Sequence, residues 1–137
     1  MLTPESTKKL INTIKKEIDI PIHIHCHNDF GLATSNALSA LLAGAQTVDV
    51  TVNGLGERSG IPPLAEICLA LKEIYKVNND WDLKNLYELS NKIEKMSGIF
   101  NSENRPIVGK NAFTHKAGLH SRAVLKNPKT YESFPPE

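Results

Sequence analysis

The stretch IPIHIHCHNDFG, Ile20 to Gly31, places histidine at every second position: His23, His25 and His27. Pro21 forbids a helix running through it, and Ile22, Ile24 and Cys26 alternate with the imidazoles. Period two means a strand with one apolar and one imidazole face. Upstream, Thr3-Pro4-Glu5 reads as a helix start, with Thr as N-cap, Pro at the first helical position and an acid in the first turn. Leu10, Ile14 and Ile18 recur every four residues beside Ile11, giving that helix one apolar face.

Downstream, an alanine-rich helix runs from about Ala33 to Ala43, with Gly44 as its stop. A second strand spans about Thr47 to Val52. It puts Val48, Val50 and Val52 on one side and Thr47, Asp49, Thr51 and then Asn53 on the other. NGLGERSGIPP is a glycine-punctuated loop, and Pro62-Pro63 opens another helix reaching about Tyr75. Strands alternating with helices imply βα units and a parallel sheet. Beyond a boundary near Val77 to Asp82 the character changes. Leu83, Leu86, Leu89, Ile93 and Met96 predict an amphipathic helix from Leu83 to Ser97. GIFNSENRPIVGKNAF is irregular, HKAGLHSRAVL reads as helix, and Pro128, Pro135 and Pro136 break up the tail.

Composition bounds the function. With 137 residues, 40% hydrophobic and 23% charged, the chain reads as one soluble globular domain at most. No apolar run suits a bilayer, and MLTPESTKKL is no signal peptide, so a cytoplasmic location is expected. Cys26 and Cys68 are too few for a disulfide framework or a four-thiolate site. A net charge of +1 gives no global case for nucleic acid. Arg105, Lys110, Lys116, Arg122, Lys126 and Lys129 nevertheless follow one another without a carboxylate. They read either as a solvated basic face or as a field for an anionic ligand.

Same-face residues on a strand lie roughly 6.5–7 Å apart, so two neighbouring imidazoles can lean onto one divalent ion. His25 and His27 sit at the C-terminal end of their strand, where parallel barrels place their chemistry, and His23 lies one pleat deeper. The competing reading is a row of ordinary polar residues. Asn28 and Asp29 follow directly, and a carboxylate there can orient a ligating imidazole from behind. Asn53 falls at the same end of the neighbouring strand. Plain turn chemistry also accounts for Asn28-Asp29 and Asn53-Gly54. GLGERSG lacks both common phosphate-loop spacings, and Glu57-Arg58 reads as an ion pair bracing the loop.

Taken together, HCHNDFGLATSNALSALLAGAQTVDVTVNGLGERSG (His25 to Gly60) and GKNAFTHKAGLHSRAVLKNPKTYE (Gly109 to Glu132) resemble the metal-dependent acetyl-CoA Claisen condensing enzymes. That family comprises homocitrate, 2-isopropylmalate and citramalate synthases. The resemblance implies an α/β fold: the last two βα units of a TIM (β/α)8 barrel (residues 1–77), then a small, mostly helical linker and lid region (78–137). It implies His25 and His27 as metal ligands, Asn53 as a further ligand or a neighbour of the metal, and His120 with Tyr131 as the catalytic lid pair. His115 precedes the same motif without an implied role. The cofactor would be Mg, Mn or Zn, and the substrates acetyl-CoA and a 2-oxo acid.

GERSGIPPL and the Arg122-Ala123 pair are more similar to homocitrate synthases than to isopropylmalate synthases, which implies 2-oxoglutarate as substrate. The resemblance also implies a homodimer in the whole enzyme. Two strands cannot cover their own faces and edges, and the DxxRDG-type strand of the family is absent. The chain is therefore expected to be inactive by itself and to need the missing strands, in a longer protein or from a separate N-terminal half. A metal- or anion-binding module without catalysis is the expectation of another class.

Overall fold

The computed structural model describes residues 2–115, 117–132 and 134; Lys116, Pro135 and Pro136 lie outside them. Contacts divide the chain into two units, Met1–Asn78 and Asn79–Glu137.

The first unit opens with helix α1, Pro4–Glu17. The Thr3 hydroxyl accepts from the Ser6 amide while the Ser6 hydroxyl accepts from the Thr3 amide, a reciprocal cap. Strand β1, His23–Ile24, follows, then helix α2, Ala33–Leu42, and strand β2, Thr47–Val48. The strands pair in parallel, with His23 opposite Thr47 and Ile24 opposite Val48. The regular ladder is shorter than the alternation predicts, because each strand has a single partner here. Bonds from Gln46 N to Ile22 O (2.9 Å) and from Asp49 N to Ile24 O (3.0 Å) extend it at either end. Thr51 pairs instead with the Pro62-Pro63 segment.

The apolar side of β1 faces the helices. Ile22 and Ile24 pack on a small core of Ile11 from α1 with Ala40 and Ala45. Ala33, Ala37 and Ala40, all fully buried, share one face of α2 and let α1 approach closely. Gly44, at φ +102°, ends α2, and Lys15 donates to its carbonyl at 3.3 Å. Helix α3, Leu64–Leu69, runs on through a wider π turn, Ala70–Ile74. What this packing leaves open is the imidazole face of β1.

The second unit holds α4, Leu86–Ser97, closed by Gly98 at φ +71°, then α5, Gly118–Lys126, and a 3-10 turn, Pro128–Thr130. α4 begins three residues later than its hydrophobic pattern predicts. The Asp82 carboxylate accepts from the Lys84 amide (3.2 Å) and from Asn85 Nδ2 (3.0 Å), a local turn that competes with the first helical bonds. Asn101 then ties the following segment to α4, donating from Nδ2 to Ser90 Oγ (3.1 Å) and Glu94 Oε1 (2.8 Å). No helix among the described residues is long and apolar enough to cross a membrane.

Candidate functional site

Alternation along β1 brings His23, His25 and His27 to one side, and the parallel register brings Asp49 of the neighbouring strand to the same side. Asp49 bridges two imidazoles: Oδ1 lies 2.7 Å from His23 Nε2 and Oδ2 lies 2.7 Å from His25 Nδ1. Hydrogen bonds from His25, then from His23, hold the Asp49 carboxyl below its ordinary value. His25 turns its other nitrogen toward His27, with the two Nε2 atoms 3.2 Å apart and the rings edge to face. Nδ1 of His27 is buried without a hydrogen-bond partner among the described residues.

Two nitrogens each about 2.0–2.1 Å from one zinc-sized ion stand roughly 3 Å apart when they are adjacent donors. The His25–His27 pair therefore fits a divalent metal. No third His, Cys, Asp or Glu completes a metal-holding group among the described residues. Asn53 stands in the left-handed conformation (φ +61°) in the 3-10 turn Val52–Gly54 that follows β2. Burial pushes the thiols of Cys26 and Cys68 up, so neither is a ready thiolate donor.

The two residues after His27 make their hydrogen bonds away from the imidazoles. Asp29 does not orient an imidazole through a hydrogen bond; Arg58 holds it in a fork, Nε to Oδ1 at 3.0 Å and the terminal nitrogen to Oδ2 at 2.8 Å. Arg58 thus braces the loop through its hydrogen bonds to Asp29, with the Glu57 charge adding to the field on the guanidinium. Asn28 accepts from the Ala33 amide at 3.1 Å, supplying the cap that Leu32, at the start of α2, cannot. Its own amide donates to Gly60 O at 2.9 Å. Asn28 and Asp29 together fasten the loop after β1 to the loop after β2, which is why both imidazole-bearing residues end on a fixed frame.

The Arg58 hydrogen bond lowers the Asp29 pKa. A carboxyl with a folded value below its unfolded value of about 4 stabilises the fold above that pH and loses the contribution as pH falls through the lower value. Acid titration of the denaturant midpoint should therefore show a descending limb below about pH 4 that is shallower in Asp29→Asn. Equal limbs in both proteins would mean that the fork adds nothing to the folded state.

In the second unit, the predicted pair meets: the His120 and Tyr131 rings lie 4.4 Å apart at 33°. His115 joins them, its ring 6.1 Å from Tyr131 and its Nε2 3.9 Å from Glu132 Oε1. That nitrogen is also buried without a hydrogen-bond partner among the described residues. Sequence reasoning missed Asp49 and Glu132 as site members. The Thr47, Asp49, Thr51 side of β2 carried the signal for the first, once a register was known; nothing marked Glu132.

A parallel βα unit with an imidazole pair at a strand end sets the class as α/β with a polar site at the strand ends, and comparison with known proteins narrows it. The HMGL-like family model matches residues 1–93, and the model described as homocitrate synthase post-HMGL domain-like matches residues 107–137. The chain belongs to the HMGL-like family, whose βα units are those of a TIM (β/α)8 barrel.

It is 47% identical to the 2-isopropylmalate synthase of Methanocaldococcus jannaschii over 137 residues, all of this chain and 26% of that one. Homocitrate synthase AksA of Methanopyrus kandleri is 43% identical over 137 residues, all of this chain and 34% of that one. An HMG-CoA lyase from Acenitobacter baumannii, solved with coenzyme A and 3-methylmalate, superposes with a TM-score of 0.69 at 26% identity. That match covers 85% of this chain and 40% of the lyase. The chain thus spans about a quarter of the first synthase and about a third of the second.

Proposed function

We propose that this chain carries the C-terminal barrel units and the lid of an acetyl-CoA condensing synthase acting on a 2-oxo acid. The observation that carries the reading is the convergence of His25 and His27 Nε2 at 3.2 Å on a strand end, in a chain related to homocitrate and isopropylmalate synthases. His25 and His27 would hold a divalent ion, Mg, Mn or Zn, with Asn53 as a further oxygen donor. Once bound, such an ion supplies a Lewis acid that polarises the ketone of the 2-oxo acid and orients its carboxylate.

The protein's own chemistry then falls to the lid pair. His120 takes a proton from the methyl group of acetyl-CoA, and Tyr131, against its ring, steadies the imidazole as its charge changes. The resulting carbanion forms a C–C bond to the ketone carbon, whose oxygen is protonated to an alcohol. Water then cleaves the thioester and releases CoA. With 2-oxoglutarate the product is homocitrate; GERSGIPPL and Arg122-Ala123 favour that substrate. The 47% identity to an isopropylmalate synthase favours 2-oxoisovalerate as the second reading. In the whole enzyme the lid pair would serve a homodimer partner, and the cations from Arg105 to Lys129 would face CoA phosphates.

The test is complementation. The chain is mixed with the N-terminal barrel segment of a homocitrate synthase relative and supplied with acetyl-CoA, Mg²⁺ or Mn²⁺, and one 2-oxo acid at a time. CoA release is followed by thiol titration. Turnover with 2-oxoglutarate, only when both segments are present and lost in His120→Ala, is the expected result. Turnover by this chain alone would refute its dependence on the rest of the barrel. Release of CoA with 2-oxoisovalerate only would move the reading to leucine-type chemistry. If the two segments associate and bind metal without turnover on any 2-oxo acid, the catalytic reading fails and a binding module takes its place.

A further inference from the structure

We infer that Asp49 is the positioning residue of the imidazole pair: it sets which nitrogen of His25 carries the proton and so aims a lone pair at the point His27 also faces. The inference deepens the reading of His25 and His27 as metal donors and rests on it. Its foundation is the bridge itself. An aspartate at neutral pH is ionised and can only accept. At 2.7 Å from each oxygen, His25 Nδ1 and His23 Nε2 must therefore both be donors. A neutral His25 with its proton on Nδ1 carries its lone pair on Nε2, the atom 3.2 Å from His27 Nε2.

The backbone makes this placement unavoidable. Asp49 N donates to Ile24 O at 3.0 Å. With Thr47 opposite His23, the residue two further along each strand, Asp49 on one and His25 on the other, falls side by side on the same face. His23 has a part that strand geometry alone did not reveal. By donating to the second oxygen it keeps the carboxylate from rotating away from His25. His23 and His25 are half-exposed, with side chains 55% and 51% accessible, so burial does little to fix either ring; the bridge holds both, and His25 has the edge-to-face contact with His27 besides. A carboxylate behind a ligating imidazole fixes its tautomer and raises its basicity, and losing it typically costs 10–100-fold in metal affinity.

Two readouts on the full chain test this. Long-range ¹H–¹⁵N correlation of the imidazoles, metal-free and well above the ordinary imidazole titration range, reports the tautomer of each ring. His25 in the wild type is expected as the Nδ1–H form. In Asp49→Ala it should shift toward Nε2–H, with Co²⁺ affinity, read from the visible spectrum, falling about 10–100-fold. Asp49→Asn, whose carbonyl still accepts from one ring, should lose less than Asp49→Ala. A wild-type His25 with its proton on Nε2 overturns the inference without any variant having to fold. So does a Co²⁺ affinity that is the same in Asp49→Ala and wild type. If the tautomer responds to Asp49 as stated but neither protein binds Co²⁺, the positioning role stands and the metal reading fails.

Discussion

Replacing His27 with alanine is expected to lower the affinity of the chain for Co²⁺ or Zn²⁺ by more than the ~10–100-fold that losing an outer partner costs. His25→Ala should do the same, while His23→Ala should change it only a few-fold. Position along the strand already sets His23 one pleat deeper, and the geometry makes the contrast concrete. His25 and His27 present Nε2 atoms to each other at 3.2 Å, whereas the Nε2 of His23 is spent on Asp49. Removing one nitrogen of a two-nitrogen site leaves a single imidazole, which holds a divalent ion no better than an exposed surface histidine. Removing His23 leaves both donors and one of the two hydrogen bonds on Asp49. Equal losses in His23→Ala and His27→Ala, measured by the same titration, would place the ion elsewhere and sink the pair as its site.

How far these features could be read in advance depended on how local their causes are. The cap of α1 follows from Thr3, Pro4 and Ser6, three neighbours. The stop of α2 follows from Gly44, whose φ of +102° few other residues tolerate. The apolar and imidazole faces of β1 follow from period two. Asp49 is different: its role needs the register between β1 and β2, set by Gln46 N to Ile22 O and by Asp49 N to Ile24 O. One step of slip would turn Asp49 to the helix side. The Asp29–Arg58 fork joins loops 29 residues apart. Nothing near Asp29 distinguishes that partner from an imidazole two residues away. The delayed start of α4 is legible in Asp82 and Asn85, both turn formers, although the hydrophobic period by itself begins at Leu83.

The loop after β2 should be the most sensitive part of the frame, and Gly60→Ala its most damaging single change. Gly60 sits at φ +83°, and a Cβ there would collide with the Gly54 carbonyl oxygen. That oxygen already accepts from Ile61 N at 3.2 Å, and Gly60 O accepts from Asn28 N at 2.9 Å. The added methyl must push the loop backbone aside and break the link that holds the residue after His27. A left-handed conformation alone costs a non-glycine residue about 1–2 kcal/mol; adding a backbone clash puts Gly60→Ala at ~3 kcal/mol or more.

Gly31→Ala is the matched control, with φ +73° and nothing within 4 Å of the added methyl. For a unit of this size each kcal/mol moves Tm by about 4–8 °C. Gly60→Ala should then melt roughly 12 °C or more below wild type, a clearly larger loss than in Gly31→Ala, where only the backbone conformation costs. Similar losses in the two variants would mean that the Gly54 carbonyl yields freely. The loop would then be a compliant connection, and Asn28 could not be fixing the imidazole pair through it.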